Sequence, residues 1–223
     1  MQSSDSSTRA FNDELYQQFS RIGKCLSSDK RLELLNLLSQ GPKTVEKLVQ
    51  NTGMTFANAS RHLQILLDAR LVKFSKKGTY VIYELADRAV YEFLSSLWKV
   101  CEHQLADVKR IKDDLLNHFD EFQTVSMKEL HDKLKAGTIV LLDVRPRDEY
   151  EADHIAGAIS VPIHEIERHL QSLPRDVEIA AYCRGPYCIY SAQAVQLLRS
   201  EGFAAYRLEE GVQEWREYNE QKH

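Results

Sequence analysis

The fold of the first half is decided by residues 53–85, which read GMTFANASRHLQILLDARLVKFSKKGTYVIYEL. Apolar residues recur every three or four positions over 55–69, and this spacing predicts a helix with one buried face. Two strand-like segments follow at 71–75 and 80–85, and the turn between them is predicted at 76–79. The stretch is therefore a helix followed directly by a hairpin that has two lysines at its tip.

Three further helices are predicted before this stretch. The first spans 11–26, the second is capped by Ser28 or Asp29 and ends at Gly41-Pro42, and the third spans 44–50. Two helices joined by a short turn that contains glycine form a helix-turn-helix, whose second helix can lie in the major groove of DNA. We therefore predict a mainly α winged helix-turn-helix domain, in which the hairpin is the wing.

The outward polar residues of the predicted recognition helix suit contacts with DNA. Hydroxyl and amide groups bind phosphate oxygens or base edges, and an arginine can donate two hydrogen bonds to guanine. A solvated helix face is the alternative for this helix alone, but the basic hairpin after it favours DNA. The candidate DNA-binding residues are Thr55, Asn58, Ser60, Arg61, Gln64, Lys76 and Lys77.

This half of the chain resembles the ArsR family of bacterial repressors. Residues 26–32, LSSDKRL, match the opening helix pair of that family, and residues 60–66, SRHLQIL, with 69–72, ARLV, match its recognition helix. The resemblance covers about residues 10–110. It implies a homodimer that binds double-stranded operator DNA and releases it when a signal is sensed.

A separate pattern predicts the subunit interface. From Asp87 a helix is predicted to run past Leu115, with apolar residues every three or four positions, which is longer than the core of a small winged helix needs. These apolar residues are Val90, Leu94, Leu97, Cys101, Leu105, Val108, Ile111 and Leu115.

The sequence disfavours a metal sensor. Metal-sensing ArsR members carry a thiolate pair on the third helix, whereas residues 44–48, TVEKL, contain no cysteine. Scattered acidic and histidine residues on the long helix (His103, Asp107, Asp114, His118) can in principle bind zinc across a dimer, but such residues usually form a solvated face. We predict no metal site and no cofactor.

Cys25 and Cys101 lie on elements that pack together in the ArsR family. They form a possible redox pair or persulfide-sensing pair, and two buried structural thiols are the alternative.

The second half is predicted to be an α/β domain. Ser126-Met127-Lys128-Glu129 is a capping box that opens a helix ending at Gly137. Apolar runs at 139–144 and 178–182 predict buried strands, a helix follows at 191–200, and 206–208 is a further strand candidate. Alternation of this kind gives a central, mainly parallel sheet.

This half resembles the rhodanese (sulfurtransferase) family over about residues 124–217. Its first signature is Leu142-Asp143-Val144-Arg145, then Glu149-Tyr150, then HIAGAISVP at 154–162, and its last is 208–215. The resemblance implies that Asp143, Arg145, Glu149 and His154 are structural; a polar surface cluster is the alternative.

The chemistry is predicted in residues 181–191, AYCRGPYCIYS, with Cys183, Arg184 and Cys188 as the catalytic candidates. Cys183 ends a strand, and backbone N–H groups at the following helix N-terminus can stabilise its thiolate or persulfide. Arg184 adds positive charge nearby. Cys188 can resolve an oxidised Cys183 as a disulfide or accept its sulfur. A buried inert cysteine is the alternative for Cys183.

The loop departs from the family pattern in its length. The usual serine lies six residues after the nucleophile, whereas Ser191 lies eight after Cys183 and Ile189 occupies the sixth place. Rhodanese-related phosphatases need arginine at that sixth place to hold phosphate. Phosphatase and arsenate reductase activities are therefore disfavoured.

Composition and charge agree with two modules. The 223 residues are 43% apolar and 28% charged, which excludes a disordered or collagen-like chain. No apolar run approaches the roughly 20 residues of a membrane span, so we expect a cytoplasmic protein with no membrane partner. The first 117 residues carry a net charge of +3 and the remainder −7. We place a disordered tail at 1–10, the DNA-binding and dimerisation domain at 11–118, a linker at 119–124 and the rhodanese-like domain at 125–223.

Two functions remain open from the sequence. In the first, the protein is a transcriptional regulator of the repressor type, whose rhodanese domain takes up sulfane sulfur on Cys183 or senses the sulfur or redox state. In the second, it is a sulfurtransferase whose winged helix localises or regulates it. Both use a small sulfur donor such as thiosulfate, polysulfide or a persulfide.

Overall fold

The computed structural model describes residues 2–117, 119 and 124–220, and the side chains of all of these except 2–6 and 115–117. The chain divides into two compact units, Met1–Lys99 and Val100–His223. Within the described residues, no helix is long and apolar enough to cross a membrane.

The first unit is a helical domain with a small antiparallel sheet of order β1-β3-β2. Its elements are α1 (Gln2–Leu26), α2 (Asp29–Leu38), β1 (Lys43–Thr44), α3 (Val45–Thr52), α4 (Phe56–Asp68), β2 (Val72–Lys77), β3 (Tyr80–Leu85) and α5 (Arg88–Gln104), whose last residues belong to the second unit. Leucines of α2, α3 and α4 form its core, and Leu34, Leu48 and Leu63 are fully buried. This confirms the predicted winged helix-turn-helix.

Local capping explains how α3 and α4 meet. The hydroxyl of Thr44 accepts the Lys47 N–H and that of Thr55 accepts the Asn58 N–H, so each threonine begins a helix. Gly53 ends α3 at a φ of 65°, a left-handed conformation that costs glycine little. The short turn between the helices follows from these three residues.

Two predictions about helix limits are wrong. α1 already begins at Gln2, so residues 2–10 are helical and do not form a disordered tail. Residues 2–10 contain no proline or glycine that would stop a helix. The helix can therefore extend through them, because each added residue forms one further backbone hydrogen bond.

The predicted single helix from Asp87 past Leu115 is instead two helices, α5 and α6 (Ala106–Asn117), interrupted at Leu105. Asp107 lies in the first turn of α6, where its negative charge complements the helix dipole and favours a new helix start.

The wing is longer than predicted. Strands β2 and β3 stay paired as far as Lys77 and Tyr80, so the turn consists of Gly78 and Thr79 alone. Lys76 and Lys77 therefore belong to the end of β2 and not to the turn. Both lysines are exposed at the tip of the hairpin.

The second unit contains a parallel four-stranded sheet of order β5-β4-β6-β7 with helices around it. After α6 its elements are α7 (Met127–Ala136), β4 (Ile139–Asp143), α8 (Arg147–Ala152), β5 (Ile159–Ser160), a 3₁₀ turn (Ile163–Glu165), α9 (Ile166–His169), β6 (Glu178–Tyr182), α10 (Tyr190–Ser200), β7 (Ala205–Arg207) and α11 (Val212–Glu220). The predicted α/β fold is confirmed.

A buried polar network fixes the carboxyl ends of β4 and β6. Asp143 is fully buried, and it accepts hydrogen bonds from the Arg145 guanidinium and from the Tyr182 hydroxyl, each at 2.6 Å. The Tyr182 hydroxyl also accepts the Ile155 N–H. Burial and the Asp143 carboxylate raise the pKa of Tyr182, so this hydroxyl stays protonated. The residue immediately before Cys183 is thereby held in place.

Candidate functional site

The solvent face of α4 carries the predicted DNA-binding residues. Ala59, Leu63 and Leu66 are buried on the opposite face. All five residues predicted from the spacing of this helix are exposed: Thr55, Asn58, Ser60, Arg61 and Gln64. Thr55 also caps the helix, and Gln64 donates to Asp68 at 2.7 Å. Ser60 and Arg61 stay the candidates for contacts with DNA, and both are exposed.

Cys183 lies at the carboxyl end of β6, as its position after an apolar run predicts. It is 1% exposed, and its sulfur is bonded to that of Cys188, with the two Cα atoms 6.2 Å apart. The Cys188 N–H donates to the Gly185 carbonyl, so the loop between the two cysteines folds into a tight turn. The chain then enters α10 at Tyr190. The structure thus brings together the two cysteines that the sequence singled out.

Arg184 does not act as a free charge beside Cys183. Its guanidinium binds the Glu149 carboxylate through two nitrogens, at 2.9 and 2.7 Å, and that carboxylate is fully buried. The pair ties the loop between β6 and α10, residues 183–189, to α8; we call this segment the active loop. The positive charge of Arg184 is therefore balanced by Glu149. Arg184 has a structural role in addition to any catalytic one.

The loop is also packed against the start of α11. A Cβ atom on Gly211 would lie 3.0 Å from the Cys183 carbonyl oxygen and 3.1 Å from the Gly185 nitrogen, so a larger residue would require the backbone of the loop to shift by a few tenths of an ångström. The Gly211 N–H donates to the Glu214 carboxylate at 2.9 Å. This close approach of two backbones holds the loop over the end of β6.

Comparison with known proteins identifies both halves. Residues 28–73 match the model of the arsR family of bacterial regulatory proteins, and residues 126–218 match that of the rhodanese-like domain. The chain is 39% identical over 202 residues to the HTH-type transcriptional regulator Rv0324 of Mycobacterium tuberculosis, covering 91% of this chain and 88% of that one. The chain belongs to the ArsR-type transcriptional regulators.

Two other similarities cover one half of the regulator each. The human thiosulfate:glutathione sulfurtransferase is 35% identical over 107 residues, which is 42% of this chain and 93% of that protein. A homodimeric winged helix-turn-helix DNA-binding domain from Mycobacterium bovis, solved by NMR, is 34% identical and covers 43% of this chain and 88% of its own, with a TM-score of 0.41.

The other two cysteines of the regulator are both free thiols. Cys25 is buried, its thiol faces the Ile65 carbonyl at 3.8 Å, and burial raises the pKa of that thiol. Cys101 is half-buried on α5. Their proposed reaction as a redox pair stays a prediction. Among the described side chains, no group of three or more His, Cys, Asp or Glu residues is arranged to hold a metal ion, and His118 lies outside those residues.

Two contacts of the active loop escaped the sequence analysis. Tyr187 lies between the two cysteines in the sequence, and its hydroxyl donates to the Glu102 carboxylate at 2.8 Å. Lys112 binds the same carboxylate at 3.0 Å. These hydrogen bonds hold the pKa of Glu102 below its usual range. The second contact is made by Arg207, which is buried beside the loop. Neither contact has a local sequence signal, because each joins residues far apart in the chain.

Proposed function

We propose that this regulator binds operator DNA as a homodimer and that sulfane sulfur taken up on Cys183 lowers its affinity for the operator. The observation that carries the proposal is the active loop itself, which places Cys183 and Cys188 within disulfide distance at the end of β6. A thiol in this position can take sulfur from thiosulfate, polysulfide or a persulfide, and its neighbour can remove it.

The DNA-binding part of the proposal rests on the exposed face of α4 and on the wing. We expect Arg61→Ala to weaken operator binding and to change the preferred base at one position, at a cost of about 1–3 kcal/mol. The double change Lys76→Ala with Lys77→Ala is expected to weaken binding to all sequences and to reduce the salt slope by about 2. Titrations of labelled operator and scrambled DNA over a range of salt concentrations measure both effects.

Lys109→Ala is the matched control for this experiment, since Lys109 is an exposed cation on α6, outside the helix-turn-helix and the wing. It is expected to leave affinity and salt slope unchanged. Full affinity of both the Arg61 and the double lysine variants would contradict the assignment of these two surfaces.

Coupling between the loop and the DNA-binding part is supported by the Tyr187–Glu102 hydrogen bond. Both residues lie in the second unit, but Glu102 is in the last turn of α5, a helix that begins in the first unit. We expect persulfide formation or disulfide exchange at Cys183 and Cys188 to rearrange the turn that contains Tyr187. Through its hydrogen bond to Glu102, Tyr187 can therefore transmit a change at the two cysteines to α5.

We expect polysulfide treatment to weaken operator binding about tenfold, which is a common size for a coupling between two sites. Tyr187→Phe and Glu102→Gln should each retain the affinity of the untreated protein and lose most of the response, because either change removes the charge-assisted hydrogen bond. Fluorescence anisotropy of labelled operator before and after treatment measures the response. An undiminished response in both variants would place the coupling elsewhere.

Sulfurtransferase activity is the second candidate function, and the similarity to the human thiosulfate:glutathione sulfurtransferase favours it. The two candidates differ in turnover. An enzyme releases many equivalents of sulfite from thiosulfate in the presence of an acceptor thiol, whereas a sensor takes up about one equivalent per chain. Counting sulfite against chain concentration, with and without operator DNA, distinguishes them.

A further inference from the structure

Arg207 is a buried cation in contact with the loop that follows Cys183 and with the helix that this loop enters. Its side chain is 2% exposed. Its Nε donates to the Ser191 hydroxyl at 3.2 Å, in the first turn of α10, and its Nη2 donates to the Pro186 carbonyl at 3.3 Å. The guanidinium therefore lies against the loop and the helix that the loop enters.

The strand register places Arg207 on the same face of the sheet as Cys183. Arg207 pairs with Ala181 across β6 and β7, and paired residues of neighbouring strands point to one face. Ala181, Cys183 and Ala205 belong to one apolar cluster on that face, whereas Tyr182 and Tyr206 belong to the cluster on the other. Arg207 is thus paired with the residue two positions before Cys183, on the face of the sheet that Cys183 shares.

The two fully buried arginines of this unit differ in how their charge is compensated. Arg145 binds Asp143 at 2.6 Å, and both side chains are buried. Two carboxylates favour the charged form of Arg207: that of Glu209, which is 3.6 Å away and 41% exposed, and that of the half-buried Glu210. Burial outweighs both and lowers the pKa of Arg207. Burying a cation is costly unless a close anion compensates it, and a solvated carboxylate compensates poorly. The positive charge of Arg207 is therefore incompletely balanced.

An anion in the active loop would complete this balance. Cys183 carries no charge in the disulfide, but reduction leaves a thiol that can ionise, and sulfur uptake leaves a persulfide anion. Arg184 contributes less to such an anion, because Glu149 already neutralises it. A guanidinium stays protonated in proteins and has five N–H donors, so Arg207 can hold the loop and attract an anion at once.

We infer that Arg207 is a positioning residue for the chemistry of Cys183: it holds the loop through Pro186 and Ser191 and supplies the buried positive charge that stabilises the Cys183 thiolate and persulfide. The persulfide part rests on the proposed function. The thiolate part does not, because the thiolate exists before any sulfur donor is added.

The test is the rate at which iodoacetamide alkylates Cys183 in the reduced full-length protein as a function of pH. Mass spectrometry of the peptide that contains Cys183 reads this thiol alone, and a Cys188→Ser background prevents the disulfide from forming. Arg207→Met removes the charge, Arg207→Lys retains it, and Arg168→Met is the control for loss of an exposed cation. Circular dichroism confirms that each variant is folded.

We expect Arg207→Met to slow alkylation at neutral pH about tenfold and to move the pH profile upward, since a nearby opposite charge favours the ionised thiol. Arg207→Lys should recover most of the rate, and Arg168→Met should match the parent. A folded Arg207→Met protein with the parent profile would overturn the inference, as would a lysine variant as slow as the methionine one.

If Arg207→Met does not fold, Arg207→Gln takes its place, because it removes the charge and keeps a neutral hydrogen-bond donor. Its alkylation rate and pH profile are then compared with those of Arg207→Lys and the parent. Failure of the proposed function is separately visible. In that case polysulfide would leave no sulfur on Cys183 of the parent, which is the Cys188→Ser protein with Arg207 unchanged, while the alkylation rates would still depend on Arg207.

Discussion

Cys183→Ser is expected to abolish persulfide formation in the rhodanese domain, whereas Cys188→Ser is expected to retain it. Sulfur uptake needs a thiolate that attacks the outer sulfur of thiosulfate or polysulfide. The donor S–S bond breaks, and sulfite or the shortened polysulfide leaves with the electron pair. Cys183 has the position for this attack, at the end of β6 and before α10, with Arg207 buried beside the loop. A serine hydroxyl stays un-ionised at neutral pH and cannot replace it.

Cys188 is expected to act after Cys183. Its thiolate can attack the inner sulfur of the Cys183 persulfide, forming the disulfide seen in the structure and releasing hydrosulfide with the electron pair of the broken S–S bond. The Cys188→Ser protein should therefore accumulate more persulfide than the wild type and release less sulfide. The wild type should end as the internal disulfide.

Mass spectrometry of the reduced full-length protein after treatment with thiosulfate or polysulfide measures both effects, with digestion to locate the added sulfur. Cys25→Ser is the control, because Cys25 is buried in the other unit. An adduct that survives in Cys183→Ser and disappears in Cys188→Ser would reverse the two assignments. No adduct in the Cys188→Ser protein, together with neither persulfide nor newly formed internal disulfide in the wild type, would indicate a rhodanese domain that binds without reacting.

The site could be predicted from the sequence where its residues follow regular elements. An apolar run predicted β6, a strand must end in a loop, and Cys183 is the first residue after that strand. The exposed face of α4 followed from helical spacing in the same way, because its core residues recur every three or four positions. In both cases the local pattern alone decides where a side chain points.

Arg207 shows why the rest could not be predicted. In a strand of three residues, a charged side chain between Tyr206 and Leu208 is expected to face solvent. It is buried because Pro186 and Ser191, from another part of the chain, supply its hydrogen-bond acceptors. The pairing of Arg184 with Glu149 is hidden for the same reason, since 35 residues separate them. Long-range polar contacts of this kind leave no periodic signal.

Phe19→Glu in α1 is expected to convert the protein to monomers and to weaken operator binding more than about 100-fold. The first unit leaves a row of apolar side chains on α1 in contact with solvent: Phe11 is 64% exposed, Tyr16 67% and Phe19 59%. Such a face on an amphipathic helix needs a partner, and a second copy of the chain supplies it in the proposed homodimer. A glutamate buried there without a counter-ion costs about 3–5 kcal/mol.

Phe19 tests the interface more cleanly than Leu97, which is half-buried within its own chain. A charge at Leu97 would therefore disturb folding as well as assembly, whereas Phe19 is exposed and its replacement should leave the fold intact.

Gln18→Glu is the matched control, because it adds the same charge one residue away at a position that is already polar and exposed. Sedimentation should give monomers for Phe19→Glu and dimers for Gln18→Glu. Since a helix-turn-helix dimer reads two half-sites, the monomer should also lose the contribution of the second half-site to operator affinity. A folded Phe19→Glu protein that sediments as a dimer would show that α1 is not part of the interface.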